Sequence, residues 1–258
     1  MENIALPSIS CVCVTRNKPT QLKRAIECFL HQTYPNKELV IISEDNDPAT
    51  RDMLISVDHP TIKWFEVPSV PKMPLGGLRN LSISKASGDY FCQWDDDDWY
   101  HSCRLQFQMT AALNNHKPAS LLAYWMMYDG VNGKAFLSPI GPWAGSILCK
   151  RSIIDEKIRY PDLSRKEDHI FMGKLIRNNC TVPVIMPSLY IYAYHGNNTF
   201  NLDHFNLLFA SSQELSKDVS CLFRRIFDDE ISYAEASEAM MSIDLLQQIN
   251  YFYNKNVF

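Results

Sequence analysis

The sequence contains no long apolar run. No stretch approaches the roughly 18 residues that a membrane-spanning helix needs. Residues 1–8 have neither a basic region nor an apolar core, so we expect no secretory signal. An excess of basic residues is also missing, because 25 Lys and Arg stand against 29 Asp and Glu. We therefore expect no nucleic-acid partner and a cytoplasmic location.

The usual glycine-rich phosphate loops are absent as well. The chain has nine glycines, and none of them forms a G-x-G-x-x-G fingerprint or a P-loop after the first predicted strand. A nucleotide, if one is bound, must be held in another way. The eight cysteines lack paired metal-ligand spacing, so we expect them to be reduced, small apolar residues.

Short apolar runs alternate with helical patterns through the first part of the chain. The predicted strands cover residues 9–14, 39–42, 62–67 and 90–94, and the predicted helices begin at Thr20, Leu78 and Arg104. This alternation indicates a parallel sheet with helices on both faces, which is an α/β fold. Ligands of such sheets bind at the carboxyl ends of the strands.

The pattern loosens after about residue 116. We predict a strand over residues 120–128, another over 147–149, a helix over 167–176 and a strand over 182–194 that is interrupted at Pro187. Three helical segments are expected from Leu202 onward, the last from about Tyr233 to Tyr253.

Three polar segments follow predicted strands and should meet at one edge of the sheet: Thr15-Arg16-Asn17, Glu44-Asp45-Asn46 and the run Asp95 to Asp98. Four adjacent carboxylates repel one another and resist desolvation. A divalent cation relieves both costs, and carboxylate oxygens suit Mg²⁺ or Mn²⁺. Considered alone, the four aspartates are equally well explained as a solvated acidic turn.

The order of these segments resembles that of the family 2 glycosyltransferases. The matching stretches are ISCVCVTRN, the Gln32-Thr33-Tyr34-Pro35 turn, LVIISEDND, GGLRNLSISKASGDYFCQWDDDDW and Lys166-Glu167-Asp168. The resemblance covers about residues 8–198 and is most specific over residues 76–105. It implies a GT-A fold, which is Rossmann-like and of the spore-coat-polysaccharide-synthase type of nucleotide-diphospho-sugar transferase.

The resemblance also implies a division of the chain. Residues 1–200 are expected to form the transferase domain, with a nucleotide-binding half at about 1–100 and an acceptor half at about 101–200. Residues 201–258 are expected to form a helical appendage. Whether these C-terminal helices bind a membrane, form a homodimer or only cover the core stays open.

By the same resemblance, the chain transfers a sugar from a nucleotide diphosphate, with UDP as the expected nucleotide, to a hydroxyl with inversion. Mn²⁺ or Mg²⁺ is expected on the diphosphate, held by Asp97 and Asp95, with Asp96 and Asp98 as alternatives in register. The expected contacts of the donor nucleotide are Thr15, Arg16, Asn17, Glu44, Asp45, Arg79, Asn80, Asp95 and Asp96. Asp168 matches the general base, although a plain acidic first turn of a helix is the alternative.

Three further positions are implied around the sugars, and one at the metal. Trp143 and Gly145 are expected to face the donor sugar and the acceptor, because an aromatic face stacks on a pyranose and glycine permits close approach. Glu167 is expected to bind the acceptor or support the helix start. His195 is a metal ligand by resemblance, but a lone histidine is more often a hydrogen-bonded structural residue.

The acceptor is expected to be a saccharide or a lipid-linked saccharide of cell-surface polysaccharide or lipopolysaccharide synthesis, by resemblance alone. Residues 150–177 contain more bases than acids, which fits peripheral contact with the inner face of a membrane and fits an ordinary solvated surface equally well. Two other functions stay open: a nucleotidyltransferase, and a catalytically silent protein that binds nucleotides or carbohydrates.

Overall fold

The computed structural model describes residues 6–198, 200 and 202–243. Its larger sheet has seven strands in the order β10-β6-β9-β4-β1-β2-β3, and a second sheet has five in the order β12-β8-β7-β11-β5. The strands are β1 Ile9–Thr15, β2 Lys37–Glu44, β3 Ile62–Val67, β4 Tyr90–Gln93, β5 Trp99–Tyr100, β6 Ala119–Leu122, β7 Met126–Asp129, β8 Lys134–Leu137, β9 Leu148–Lys150, β10 Thr181–Val184, β11 Tyr190–Tyr194 and β12 Gln213–Glu214.

Helices cover the faces of the larger sheet and one side of the second. They are α1 Pro19–Leu30, α2 Pro48–Ile55, α3 Leu75–Lys85, α4 Arg104–Asn114, α5 Glu167–Arg177, α6 Leu202–Ala210, α7 Lys217–Phe227 and α8 Tyr233–Met241. None of the helices in the described part of the chain is both long enough and apolar enough to cross a membrane.

The central strand β1 explains why its sequence is a continuous apolar run. It pairs in parallel with β2 on one side and with β4 on the other. Both faces are covered by helices, so residues pointing to either side are buried. Helix α1 follows at once, since Pro19 suits a first helical position, and it packs a stripe that includes Leu22, Ile26 and Phe29 against the sheet.

The strand register brings the predicted polar segments to one edge, as expected. Thr15, the last residue of β1, lies opposite Ser43 of β2. On the other side of β1, Gln93 ends β4 opposite Val12. The aspartate run Asp95 to Asp98 follows β4 directly. The carboxyl ends of β1, β2 and β4 therefore lie together at one edge of the sheet.

One predicted strand was wrong as a single element. Residues 120–128 form two strands, of which β6 belongs to the larger sheet and β7 to the second. Both strands are buried along their whole length, so the apolar pattern does not show where the chain passes from one sheet to the other. The second sheet itself was not predicted.

The predicted strand over residues 182–194 also divides into two. β10 joins the larger sheet and β11 the second, with a short 3-10 turn at Pro187–Leu189 between them. Helix α8 ends at Met241, and Ser242 and Ile243 are not helical. The rest of its predicted length, residues 244–253, lies outside the described residues.

The helices after residue 202 pack on the second sheet. The Tyr233 hydroxyl of α8 donates a hydrogen bond to the Tyr100 carbonyl at 2.6 Å. Phe205 of α6 stacks on Tyr192 of β11 with ring centroids 5.0 Å apart. Trp94 and Trp99, on either side of Asp95 to Asp98, are fully buried. They brace this segment, called the aspartate loop below, from within the core.

Candidate active site

A cleft of about 370 Å³ opens at the carboxyl ends of β1, β2 and β4. The aspartate loop and α3 form one side, and the start of α5 forms the other. Of the predicted site residues, the cleft is lined by Thr15, Arg16, Glu44, Arg79, Asp95, Asp96, Asp97, Trp143, Gly145, Glu167 and Asp168.

Asp98 differs from its three neighbours because it points away from the cleft. Its carboxylate accepts a hydrogen bond from the Ala193 backbone N–H at 3.0 Å and a second from the Tyr190 hydroxyl. Burial raises the pKa of Asp98 well above its ordinary value, and the charges of Asp97 and Asp95 add to the effect. Asp98 therefore ties the aspartate loop to β11 and leaves the cleft to the other three.

Lys18, directly before α1, reaches the centre of the aspartate loop. Its ammonium Nζ lies 2.6 Å from Asp97 Oδ2 and 3.2 Å from Asp96 Oδ1. Burial opposes the charge of Lys18, but the carboxylate of Asp97 outweighs it and raises the lysine pKa above its ordinary value. The two aspartates are thus held with an internal counter-charge.

Asp97 receives two more contacts on the same oxygen. His195 Nε2 lies 3.1 Å from Asp97 Oδ2, and Asn198 Nδ2 lies 3.4 Å from it. Burial disfavours the charge on Asp97, but Lys18 and the hydrogen bond from His195 lower its pKa below the ordinary carboxyl range. His195 itself stands behind this contact and does not line the cleft.

The side chains around the aspartate loop suit a divalent cation, but a bound ligand must supply part of the coordination shell. Carboxylate oxygens and an imidazole suit Mn²⁺, and carboxylates alone suit Mg²⁺. Within residues 6–198, 200 and 202–243, no group of three or more His, Cys, Asp or Glu is arranged to hold a metal ion. This fits an ion that takes one or two carboxylates and completes its shell with phosphate oxygens and water.

Arg79 of α3 connects the two sides of the cleft. Its Nη1 lies 3.1 Å from Asp95 Oδ1, and its Nε donates to Glu167 Oε1 at 3.1 Å. Burial works against the charge of Arg79, yet Asp95 and the other acids around it raise its pKa above the ordinary value. The guanidinium is therefore a fixed positive charge in the wall of the cleft.

Glu167 and Asp168 differ in surroundings although they are adjacent on α5. Glu167 is buried beside Arg79, and burial raises its pKa above the ordinary value. Burial would raise the pKa of Asp168 as well, but a hydrogen bond from His169 and the charge of Arg79 outweigh it, and the Asp168 pKa is lowered. His169 Nδ1 lies 3.1 Å from Asp168 Oδ1. The pKa values of the two neighbouring carboxyls are therefore shifted in opposite directions, upward for Glu167 and downward for Asp168.

Three predicted donor contacts have partners outside the cleft. The Asp45 carboxylate is exposed and accepts a hydrogen bond from the Ser69 N–H at 2.9 Å. The Asn17 N–H donates to Asp47 Oδ2 at 2.5 Å. Asn80 binds the backbone of Tyr160 through both ends of its amide, so it fixes the segment that precedes α5.

Arg16 and Glu44 lie together at the rim of the cleft. Arg16 Nε lies 3.2 Å from Glu44 Oε2, and the arginine side chain is 45% exposed. The pair joins the ends of β1 and β2. It leaves the guanidinium accessible to a planar or anionic ligand.

Trp143 and Gly145 form a tight corner of the cleft. The indole of Trp143 stacks on that of Trp125, with ring centroids 4.6 Å apart. A Cβ at Gly145 would lie 2.8 Å from Trp143 Nε1 and 2.9 Å from the Tyr190 hydroxyl oxygen. The space therefore requires glycine.

Several residues that line the cleft were not predicted. They are Lys18, Met73, Arg165, His169, Tyr192, Asn197, Asn198, Phe200 and His204, among others. Lys18 belongs to the same polar turn as Thr15, and Asn198 to the turn after His195, so both stood beside residues that had been singled out. His169 likewise follows Asp168 on α5. The others come from β11, from α6 and from loops, and their places beside the cleft have no signal in the linear sequence.

The chain is similar to known glycosyltransferases. The family model described as glycosyl transferase family 2 matches residues 10–162, more than half of the chain. An uncharacterized glycosyltransferase of Haemophilus influenzae is 27% identical over 113 residues, which cover 43% of this chain and only 44% of that protein. The UDP-Glc:alpha-D-GlcNAc-diphosphoundecaprenol beta-1,3-glucosyltransferase WfgD of Escherichia coli is 26% identical over 180 residues, or 66% of this chain and 70% of WfgD.

Solved structures confirm the expected fold. The structure of S. aureus TarS 1–349 in complex with UDP-GlcNAc superposes with a TM-score of 0.61 at 15% identity, covering 94% of this chain and 78% of TarS. At this identity the likeness concerns the fold alone, and it is the α/β fold of the GT-A type. With the family match over the strands that form the cleft, the chain belongs to glycosyl transferase family 2.

Proposed function

We propose that the protein transfers a sugar, with inversion, from a UDP-sugar to a hydroxyl of a saccharide or lipid-linked saccharide in cell-surface polysaccharide or lipopolysaccharide synthesis. One observation supports this most strongly. A single cleft has Asp95, Asp96 and Asp97 on one side and Asp168 on the other, and Arg79 pairs with Asp95 on the first side and with Glu167, the neighbour of Asp168, on the second. A protein that only bound a nucleotide would not need the second carboxylate.

The donor side of the proposal combines the strand ends with the aspartate loop. Thr15, Arg16 and Glu44, which line the cleft, are proposed to contact the nucleoside, and Arg79 is proposed to supply positive charge near its phosphates. TarS has been solved with UDP and with UDP-GlcNAc, and the name of WfgD gives UDP-Glc as its donor. When bound, Mn²⁺ or Mg²⁺ held by Asp95 and Asp97 would act as a Lewis acid toward the departing diphosphate.

Asp168 is proposed as the base that takes the proton of the attacking hydroxyl. A base must be unprotonated at the working pH, and the lowered pKa of Asp168 keeps it so. Direct attack by the hydroxyl on the sugar carbon needs no protein nucleophile, and such a single displacement inverts the configuration. Trp143 and Gly145, which line the cleft, are proposed to contact the sugar ring.

The acceptor is proposed from the relatives and from surface charge. The name of WfgD describes a sugar linked to diphosphoundecaprenol. Arg165 and Lys166, close to the proposed catalytic Asp168, are exposed. Exposed positive charges attract the phosphates of a lipid carrier or of a membrane surface. Peripheral membrane contact is part of the proposal.

Calorimetric titration with UDP tests the donor, with GDP and CMP as controls, first with Mn²⁺ and then with EDTA. We expect binding of UDP that depends on Mn²⁺ and is much weaker for the other two nucleotides. Asp97→Asn should weaken this binding, whereas the exposed Asp162→Asn should not. If none of the nucleotides binds under either condition, the proposed function is wrong.

A further inference from the structure

The ammonium group of Lys18 lies where a cation would compensate Asp96 and Asp97. It is 2.6 Å from Asp97 Oδ2 and 3.2 Å from Asp96 Oδ1, and the three side chains are only 16%, 10% and 6% exposed for Lys18, Asp97 and Asp96 respectively. Two buried carboxylates side by side need a positive charge. In the protein alone, Lys18 supplies that charge.

In the described part of the chain, Lys18 directs the charge of its side chain to Asp96 and Asp97. It precedes α1, but among the described residues its side chain makes no capping hydrogen bond to that helix. Its contribution to the helix is the backbone carbonyl, which accepts from the Leu22 N–H at 2.9 Å. Substitution of the side chain therefore leaves the start of α1 intact.

The oxygen that Lys18 holds is crowded. Asp97 Oδ2 also contacts His195 Nε2 at 3.1 Å and Asn198 Nδ2 at 3.4 Å. A carboxylate oxygen cannot accept three hydrogen bonds and bind a metal ion at the same time. Of the three partners, Lys18 must move first, because its positive charge repels an incoming cation and its four-carbon side chain can swing.

We propose that Lys18 and a divalent cation compete for the Asp97 carboxylate, so that the cation binds well only when a nucleotide diphosphate is present. The diphosphate offers Lys18 a new anionic partner and gives the cation its missing oxygen ligands. This inference rests on the proposed function for the identity of the diphosphate. By thermodynamic linkage, UDP and the cation then tighten each other by the same factor, and Lys18 sets part of that factor.

The test is a calorimetric titration of Mn²⁺ into the protein without nucleotide. Lys18→Met removes the competing charge, and Lys18→Gln does so while keeping a hydrogen-bond donor for Asp97 in case the methionine variant folds poorly. We expect both variants to bind Mn²⁺ at least about tenfold more tightly than the unaltered protein, because a full charge near the ion has been removed. Lys23→Met, at an exposed position of α1, is the matched control and should change nothing.

A second titration with Mn²⁺ and UDP together measures the coupling. In the unaltered protein, UDP should raise the affinity for Mn²⁺ strongly. In the Lys18 variants, UDP should raise it by a smaller factor. Folding is checked by the melting temperature, which Mn²⁺ should raise more in Lys18→Met than in the unaltered protein.

The outcomes separate this inference from the proposed function. Unchanged Mn²⁺ affinity in both Lys18 variants overturns the competition, even if UDP binds as proposed. Tighter Mn²⁺ binding by the variants supports the competition, even if another nucleotide proves to be the donor. If neither the unaltered protein nor any variant binds Mn²⁺, with or without UDP, the competition and the metal dependence both fall.

Discussion

Arg79 of α3 and Glu167 of α5 form a buried ion pair across the cleft, with Nε and Oε1 3.1 Å apart. The same guanidinium reaches Asp95 in the aspartate loop at 3.1 Å. The guanidinium of Arg79 therefore fixes the distance between the side of the cleft proposed to bind the donor and the side proposed to hold the base. This distance matters because a misplacement of about 1 Å at a reacting centre can cost about 100-fold in rate.

We expect Arg79→Met to destabilise the protein by about 3–5 kcal/mol, because it leaves two acids partly or fully buried without their partner. Arg51→Met is the matched control, since Arg51 pairs with Glu66 at 2.6 Å on the surface, where an ion pair contributes little to stability. Chemical denaturation measures both. Equal losses for the two variants would show that the buried bridge has no special weight.

Asp168→Asn should keep UDP binding and lose turnover. The amide cannot accept the acceptor's proton, so we expect the rate to fall at least about 100-fold. Asp162→Asn, at an exposed position in the segment before α5, should keep full activity. The rate is measured with the UDP-sugar found by screening, and the affinity by calorimetry. Full turnover in Asp168→Asn would remove Asp168 from the role of base.

The parts of the fold that depend on periodicity could be predicted from the sequence. The strands β1 to β4 are apolar runs of strand length, and their parallel pairing follows from the helices between them. The convergence of Thr15, Glu44 and the aspartates is then a consequence of topology. The second sheet could not be predicted in this way, because β7 follows β6 within the same apolar stretch and both are buried.

The site was predicted as a set of positions but not as a set of contacts. Lys18 carries no motif, and its pairing with Asp97 depends on where a flexible side chain comes to rest in three dimensions. Arg79 and Glu167 were both singled out, yet nothing in their spacing shows that they pair. Asp98 could not be told from Asp97 in a run of four, because what separates them is the Tyr190 hydroxyl on a distant strand.

The pH dependence of the rate should change when His169 is replaced. Burial tends to keep Asp168 protonated, and the hydrogen bond from His169 opposes this and lowers the Asp168 pKa. His169→Leu removes that hydrogen bond, so the Asp168 pKa rises and the acid limb of the rate profile moves to higher pH. His59→Leu, at an exposed position away from the cleft, is the control and should leave the profile in place. A profile of kcat against pH that is the same in His169→Leu would mean that another group sets the acid limb.

Gly76 holds α3 against the segment that leads to the proposed base. A Cβ at Gly76 would lie 1.8 Å from the Pro161 carbonyl oxygen, and the Gly76 N–H donates to the Leu163 carbonyl at 2.8 Å. Alanine would gain up to about 1 kcal/mol of helix propensity, but such an overlap with backbone forces the segment away, and overpacking of this kind costs about 1–3 kcal/mol or more. We therefore expect Gly76→Ala to be a net loss in the free energy of unfolding.

The activity of Gly76→Ala should fall together with its stability, because the displaced segment continues into Glu167 and Asp168. Gly141→Ala is the matched control, since a Cβ there meets nothing within 4 Å. Denaturation and rate measurements on both variants separate the two effects. If Gly76→Ala lost stability but kept its full rate at a temperature where it is folded, the contact with Pro161 would matter for folding alone. The position of Asp168 would then depend on its own helix and on the Arg79–Glu167 pair.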